Sequence, residues 1–385
     1  MNRLKNAAVI LAMSLLFTSA ARAAQDGAKT QDPAGAPQKP PSPTPTPVDP
    51  SQKEPGVEPV IKVSLKDGVH FKSDDGNFDI ILGGYTGIHY RVFAHRPNDN
   101  TKTSPDTWYV RQARPELSGF IYKDFDFRVQ LDFPTGAAAI NGTIQDAYVG
   151  WRHYPEFSLR VGQFKEPFGQ EQTSPDRFLD FDERSEGDRF TPQRDLGIEA
   201  YGTIAKGIFT YEIGFFNGQG RAVVDTNKGK EEAGRVRFQP FAGSDDGFLL
   251  KTLRLGLAGT IASVQRAPIT AFSSNTAYLN VAYLTPPAPA IATNQLDGQR
   301  TRWGAEFTWN YGPVGVRAEA WRRVDTADTA ATDHERLRTT AWSAQASWLL
   351  TGEKKPIEAR VVPKNPFDPN TGEWGAFEIA ARIDR

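Results

Sequence analysis

The sequence predicts an all-β protein, a transmembrane antiparallel β-barrel, and three observations predict it. An export signal opens the chain, short segments with a period of two fill most of its length, and the polar face of those segments carries charge. The clearest segment is FDFRVQLDF, residues 125–133. Phe125, Phe127, Val129, Leu131 and Phe133 alternate with Asp126, Arg128, Gln130 and Asp132, so a strand turns the apolar set to one face and the polar set to the other. Two carboxylates and a guanidinium are too much charge for a dry core. A sheet with lipid on its apolar face and water on its charged face accommodates both.

Taken in order, the chain begins with the means of export. Residues 1–6 carry two positive charges, residues 7–17 are almost wholly apolar, and Ala21-Arg22-Ala23 is a small-x-small cleavage site. This is the pattern of a signal peptide over residues 1–23. The apolar run is shorter than the roughly 20 residues a membrane-crossing helix needs, and no later segment approaches that length. Residues 24–60 form a Pro-rich linker, with ten prolines between 25 and 60, and are expected to be extended and disordered. Such a segment is either an arm reaching toward the cell wall or a leader with no partner.

From residue 61 to 385 the sequence reads as one barrel domain. The candidate strands before the central one are 78–93 and 108–122; after it come 144–152, 157–164, 196–204, 209–218, 235–239, 252–262, 302–310, 314–321, 341–350 and 375–382. With 276–284 as a weaker candidate, about fourteen strands are visible, most of them near the 9–11 residues that cross a bilayer at a tilt. Residues 205–207 (AKG) close a hairpin between two of them. Trp342, Ala344, Ala346, Trp348 and Leu350 share one face against Ser343, Gln345 and Ser347; Leu253, Leu255, Leu257 and Ile261 share another against Arg254 and Thr260. A soluble sandwich alternates too. Export, charge on the polar face and aromatics near strand ends (Trp303, Trp309, Trp321, Tyr283, Phe216) favour a membrane barrel with interfacial girdles. An open sheet edge is not tolerated in lipid, so the strands must close on themselves. The absence of cysteine suits an oxidising compartment, and a net charge of −1 gives no sign of nucleic-acid binding.

Several motifs fall in a recognisable order: VRQARPELSGFIYKDFDFRVQLDF, QDAYVGW, LRVGQFKEPFG, FDERS and FFNGQG, then SWLLTGE, NPF and WGAFEIAAR. In this order they resemble the phosphate-selective porin O and P family, over nearly everything from residue 78 onward. The resemblance implies a homotrimeric outer-membrane barrel of about sixteen strands. It also implies an extracellular loop folded into each lumen, and arginine and lysine along the path of an anion. Members of the family show two adjacent arginines in the strand that begins WYVRQA here; Arg111 matches the first, but Gln112 stands at the second. Asp146 matches an aspartate facing that site. One guanidinium fewer removes a bidentate oxyanion fork, which weakens the case for phosphate specificity.

The residues add their own candidates. The segment 164–195 is too long for a plain connection and is the expected constriction loop. It holds Lys165, Arg177, Arg184, Arg189 and Arg194 against nine acids, so either the acids pin the loop by ion pairs or selectivity is weak or reversed. Alternation adds Arg128, Arg160, Arg235, Arg237, Arg254, Arg317 and Arg382 as lumen-facing, and the chain has 28 arginines against 17 lysines. The expected function is a porin for passive diffusion of small anions, phosphate or polyphosphate included, without cofactor. The alternatives are a general or cation-preferring porin, or a plugged barrel acting as a binding or adhesion module. No enzyme is expected: the five histidines are scattered, and His89 and His95 with Asp106 match no strong metal template and read as solvated loop residues. The chain ends at Arg385 directly after a lumen-facing strand, which reads as a C-terminally truncated barrel.

Overall fold

A computed structural model gives the architecture. It describes residues 61–64, 68–92, 107–134, 142–268 apart from 222, 224, 226 and 227, then 272–273, 282–284, 295–328 and 335–385. The signal peptide and the Pro-rich segment lie outside these residues. The strands are β1 (Ile61–Ser64), β2 (Val69–Ser73), β3 (Phe78–Arg91), β4 (Thr107–Ile121), β5 (Phe125–Asp132), β6 (Thr143–Tyr154), β7 (Phe157–Lys165), β8 (Arg194–Ile204), β9 (Phe209–Phe216), β10 (Glu231–Phe238), β11 (Arg254–Pro268), β12 (Phe272–Ser273), β13 (Ala282–Leu284), β14 (Gln295–Tyr311), β15 (Val314–Asp328), β16 (Glu335–Leu349) and β17 (Glu378–Asp384). Fifteen of them form one sheet in chain order, each paired antiparallel with its neighbour, while β12 and β13 make a separate ribbon and β11 pairs directly with β14. The strands missed by the sequence, β1, β2 and β12, are four, five and two residues long, too short for a period to show. Of the weak candidate 276–284, residues 282–284 form β13, and the rest lie outside the described residues.

Exposure is the inverse of a water-soluble protein. Leu257 is 64% exposed and Val149, Ile213 and Trp303 are similarly open, whereas Gln130 is 2% exposed and Glu199, Arg235 and Asp325 are buried. The apolar face therefore looks outward to lipid and the polar face inward. Hairpin turns at one end are short (122–124, 155–156, 205–208, 312–313), and the 166–193 connection leaves from the other end. Short turns mark the periplasmic end of such barrels and long loops the extracellular end.

One loop residue shows how far the sheet curls. Arg111 on β4 donates to the Glu183 carboxylate at 2.9 Å, and Arg382 on β17 donates to the Glu183 carbonyl at 2.7 Å. Strands near opposite ends of the sheet order thus meet the same residue, which a flat sheet cannot do. Two expected girdle aromatics turn the other way. Trp321 is 3% exposed and Phe216 is 1% exposed, both on the inward face. The parity of Arg317 and Glu319 on β15, and of Glu212 on β9, carries them inward, so nearness to a strand end did not decide their side.

Candidate functional site

Everything that shapes the lumen hangs on residues 166–193, between β7 and β8. The loop contains a short helix, α1 (Gln170–Thr173), and two 3-10 turns at Asp176–Phe178 and Glu186–Phe190. Phe168 and Phe190 bury themselves with Trp321, Ala258 and Ala341 of the wall, which seats both flanks of the loop on β11, β15 and β16. Gly187 permits the close approach: a Cβ there would lie 2.4 Å from the Trp321 ring. The Glu319 carboxylate on β15 accepts the N–H groups of Gln170 and Glu171 at 3.1 and 2.6 Å, satisfying the start of α1 from the barrel wall.

Most acids of the loop are occupied by this seating. Asp176 takes Arg114 and Arg184 at 2.5 Å each and Gln112 at 2.6 Å. Asp180 takes Lys355 at 2.5 Å, Glu171 accepts the Ser185 N–H at 3.0 Å, and Asp195 accepts the Gln219 N–H at 3.1 Å. Asp182 and Glu183 both face Arg111, and His89 lies 3.2 Å from Asp182. His89 is therefore a lumen-facing strand residue rather than a solvated loop histidine; His95 and Asp106 lie outside the described residues. Burial pushes the Asp188 carboxyl up to about 6, and burial with Glu231 nearby raises Glu166 well above the usual range. Burial alone would raise Asp176 too, but Arg184 and Arg114 outweigh it and hold that carboxyl well below the usual range.

Two β-bulges decide which wall residues reach the lumen. On β4 the register shifts where Gly87 pairs Gln112 and Ile88 pairs Val110, leaving Arg111 as the extra residue. Arg111 and Gln112 therefore both point inward, and every position after them changes parity, bringing Arg114 inside. On β6 the shift falls where Gln130 pairs Asp146 and Leu131 pairs Ile144, so Gln145 and Asp146 are both buried.

Between loop and wall lies a cavity of 170 Å³. At about 30 Å³ per water it holds a small ion with part of its hydration shell. Six basic side chains line it, Arg114, Arg128, Arg160, Lys165, Arg177 and Arg194, against the acids Asp146, Asp176 and Glu212. Asp146 sits between Arg194 at 2.7 Å and Arg128 at 3.6 Å; Arg128 also reaches Glu116 at 2.6 Å, and Arg160 reaches Glu199 at 2.6 Å. Two cations differ from these. Lys165 donates to the Ser174 carbonyl at 2.7 Å and has no carboxylate within ion-pair distance among the described residues. Arg177 is exposed to the cavity, with its guanidinium carbon 5.8 Å from the Tyr85 ring centroid and 5.0 Å from that of Phe178.

Of the residues expected from sequence, Arg128, Asp146, Arg160, Lys165, Arg177 and Arg194 meet at this cavity. Arg111, Gln112 and Arg184 instead bind the loop's acids, and Arg189 lies on an exposed position of the second 3-10 turn, away from the cavity lining. Two residues were missed. Arg114 was hidden by the β4 bulge, and Arg221 reaches Gln145 at 2.7 Å from the β9–β10 connection, where no period exists to read.

The sequence profile of the phosphate-selective porin O and P family matches residues 82–385. The chain belongs to this family. It is an outer-membrane porin, a β-barrel channel. Porin O of Pseudomonas aeruginosa strain PAO1 is 26% identical over 356 residues, covering 84% of this chain and 76% of that one. Among solved structures, OmpT of Vibrio cholerae is similar with a TM-score of 0.45 and 8% identity, over 71% of each chain. The outer-membrane channel DcaP of Acinetobacter baumannii is similar with a TM-score of 0.42 and 14% identity, over 74% of this chain and 77% of that one.

Proposed function

We propose that this porin passes small anions, phosphate or polyphosphate among them, passively through a water-filled lumen, and that it works as a homotrimer. The observation that carries the reading is the charge at the cavity: six basic groups against three acidic, with no carboxylate within ion-pair distance of Lys165 or Arg177 among the described residues. An anion entering there exchanges hydration water for charge-assisted hydrogen bonds, while the neighbouring arginines, already shared with Asp146 and Glu199, keep binding loose enough for release. The family's description supports phosphate as the substrate class. Gln112, whose amide is committed to Asp176, supplies no oxyanion fork, but Arg114 from the same strand brings a guanidinium to the cavity.

The test is the zero-current potential of reconstituted channels across a chloride gradient, repeated with phosphate added. Anion-selective sign with phosphate blocking the chloride current is the expected outcome. A cation-selective sign would mean that Asp146, Asp176 and Glu212 dominate the field, and absence of open-channel current would favour a plugged binding barrel. Cross-linking of the purified protein reads the trimer independently.

A further inference from the structure

The outer wall carries charge that the pore does not use. Along the outward face of β15 run Ala318, Ala320, Arg322 and Val324, and along that of β16 run Ala344, Trp342, Thr340, Arg338 and Arg336. Arg322 pairs with Trp303 on one side and Thr340 on the other, while Val324 pairs with Arg338. Arg322 and Arg338 are therefore diagonal neighbours, about 7–8 Å apart at the backbone and able to share one ligand. Arg322, Arg336 and Arg338 are all exposed, and none has an ion-pair or hydrogen-bond partner among the described residues.

Their height on the barrel is informative. Trp309 and Tyr311 stand near the short turn and Trp303 six to eight residues above them on β14. At about 3.3 Å per residue and a tilt near 45° that rise is about 14–19 Å, against the roughly 25 Å apolar band of such barrels. Trp303 and Arg322 thus lie in the outer part of the band, and Arg338 and Arg336, level with Val324 and Thr326 further along, reach its edge. An arginine facing hydrocarbon is costly at mid-depth and nearly free at the interface, where lipid phosphates lie. Directly below, an apolar groove of 480 Å³ runs over Leu257, Trp303, Ala305 and Ala320, with Arg322 and Thr340 at its rim. The small side chains leave room for an acyl chain, and the rim supplies the charge for its head.

We propose that this groove and the arginines above it bind a phosphorylated anionic lipid of the outer leaflet, its acyl chain in the groove and its phosphate held by Arg322 and Arg338. The guanidinium forks suit a phosphate, and the apolar groove excludes a free ion as the full occupant. The site rests on the barrel's place in the outer membrane and is independent of ion selectivity.

The test uses the purified full chain in detergent, with native mass spectrometry counting bound lipid A and its dephosphorylated form. Wild-type protein should retain the phosphorylated form over the dephosphorylated one. R322Q and R338Q should each weaken retention about fivefold, the scale of one basic side chain at an anionic membrane surface. Heat-modifiable migration and unchanged single-channel conductance confirm that each single variant is a folded barrel. Equal retention of both lipid forms, or of either form by wild type and variants, overturns the proposal. So does displacement by orthophosphate alone, which identifies a free-ion site, or a change of oligomeric state without loss of lipid, which identifies an interface between copies.

Discussion

Replacing Arg177 with glutamate should shift the channel strongly toward cations. Arg177 lies on the Asp176–Phe178 turn, exposed to the cavity, with aromatic neighbours and no carboxylate within ion-pair distance among the described residues, so the change breaks no structural pair. It moves the lining from six bases and three acids to five and four. A change of two unit charges acting at about 5 Å in a wet lumen is worth about 1.7 kcal/mol on a monovalent ion, of opposite sign for anion and cation, or about 250-fold in the anion-to-cation permeability ratio before salt screens it. The zero-current potential in planar bilayers under a salt gradient reads this directly. Raising the ionic strength should shrink the difference, because the groups are reached by solvent. The control is Arg184→Ala, which removes a pinned guanidinium 2.5 Å from Asp176 and should change current noise more than selectivity. If R177E keeps wild-type selectivity while R184A loses it, uncompensated charge is not what the pore reads.

Other expectations follow from the same geometry. Arg111→Ala should leave selectivity nearly unchanged and increase spontaneous closures in single-channel records, since its charge is spent on Glu183 and Asp182; a clear loss of anion preference would return Arg111 to the ion path. Gly187→Val forces a Cβ into the Trp321 ring and should displace the loop, changing unitary conductance; the double variant G187V/W321A should restore it toward wild type, and failure to do so would mean the clash is not what moves the loop. Because burial holds Asp188 at about 6, above its free value, the seated loop binds a proton that the released loop gives up. Seating is therefore favoured at pH below about 6 and weakens as pH rises through it. Closures should be fewer near pH 5 than near pH 7, and D188N should be flat across that range.

The lumen was partly legible in the sequence. Arg128, Arg160, Arg235 and Arg317 were placed inward by alternation alone, and the structure has them there because a strand has no freedom over which face a side chain takes. The same rule failed at Arg114, where one inserted residue on β4 reversed parity without a mark in the sequence. The rule holds for Trp321, which shares the parity of Arg317 and turns inward although it stands near a strand end. The charge count of the loop left two readings open, acids pinning the loop or selectivity weak or reversed, because a count carries no partners.

By itself, then, the sequence determined most of the strands, the two faces of the regular ones, the inward loop and the family, all of which rest on local periodicity and motif order. The tertiary structure decided which charges remain for an ion. Asp176 meets Arg114 from 62 residues away and Glu319 meets α1 from about 149, and no local pattern encodes such meetings. They arise from the curl of the sheet around its own loop, which neutralises most acids against the wall and leaves Lys165 and Arg177 facing the cavity.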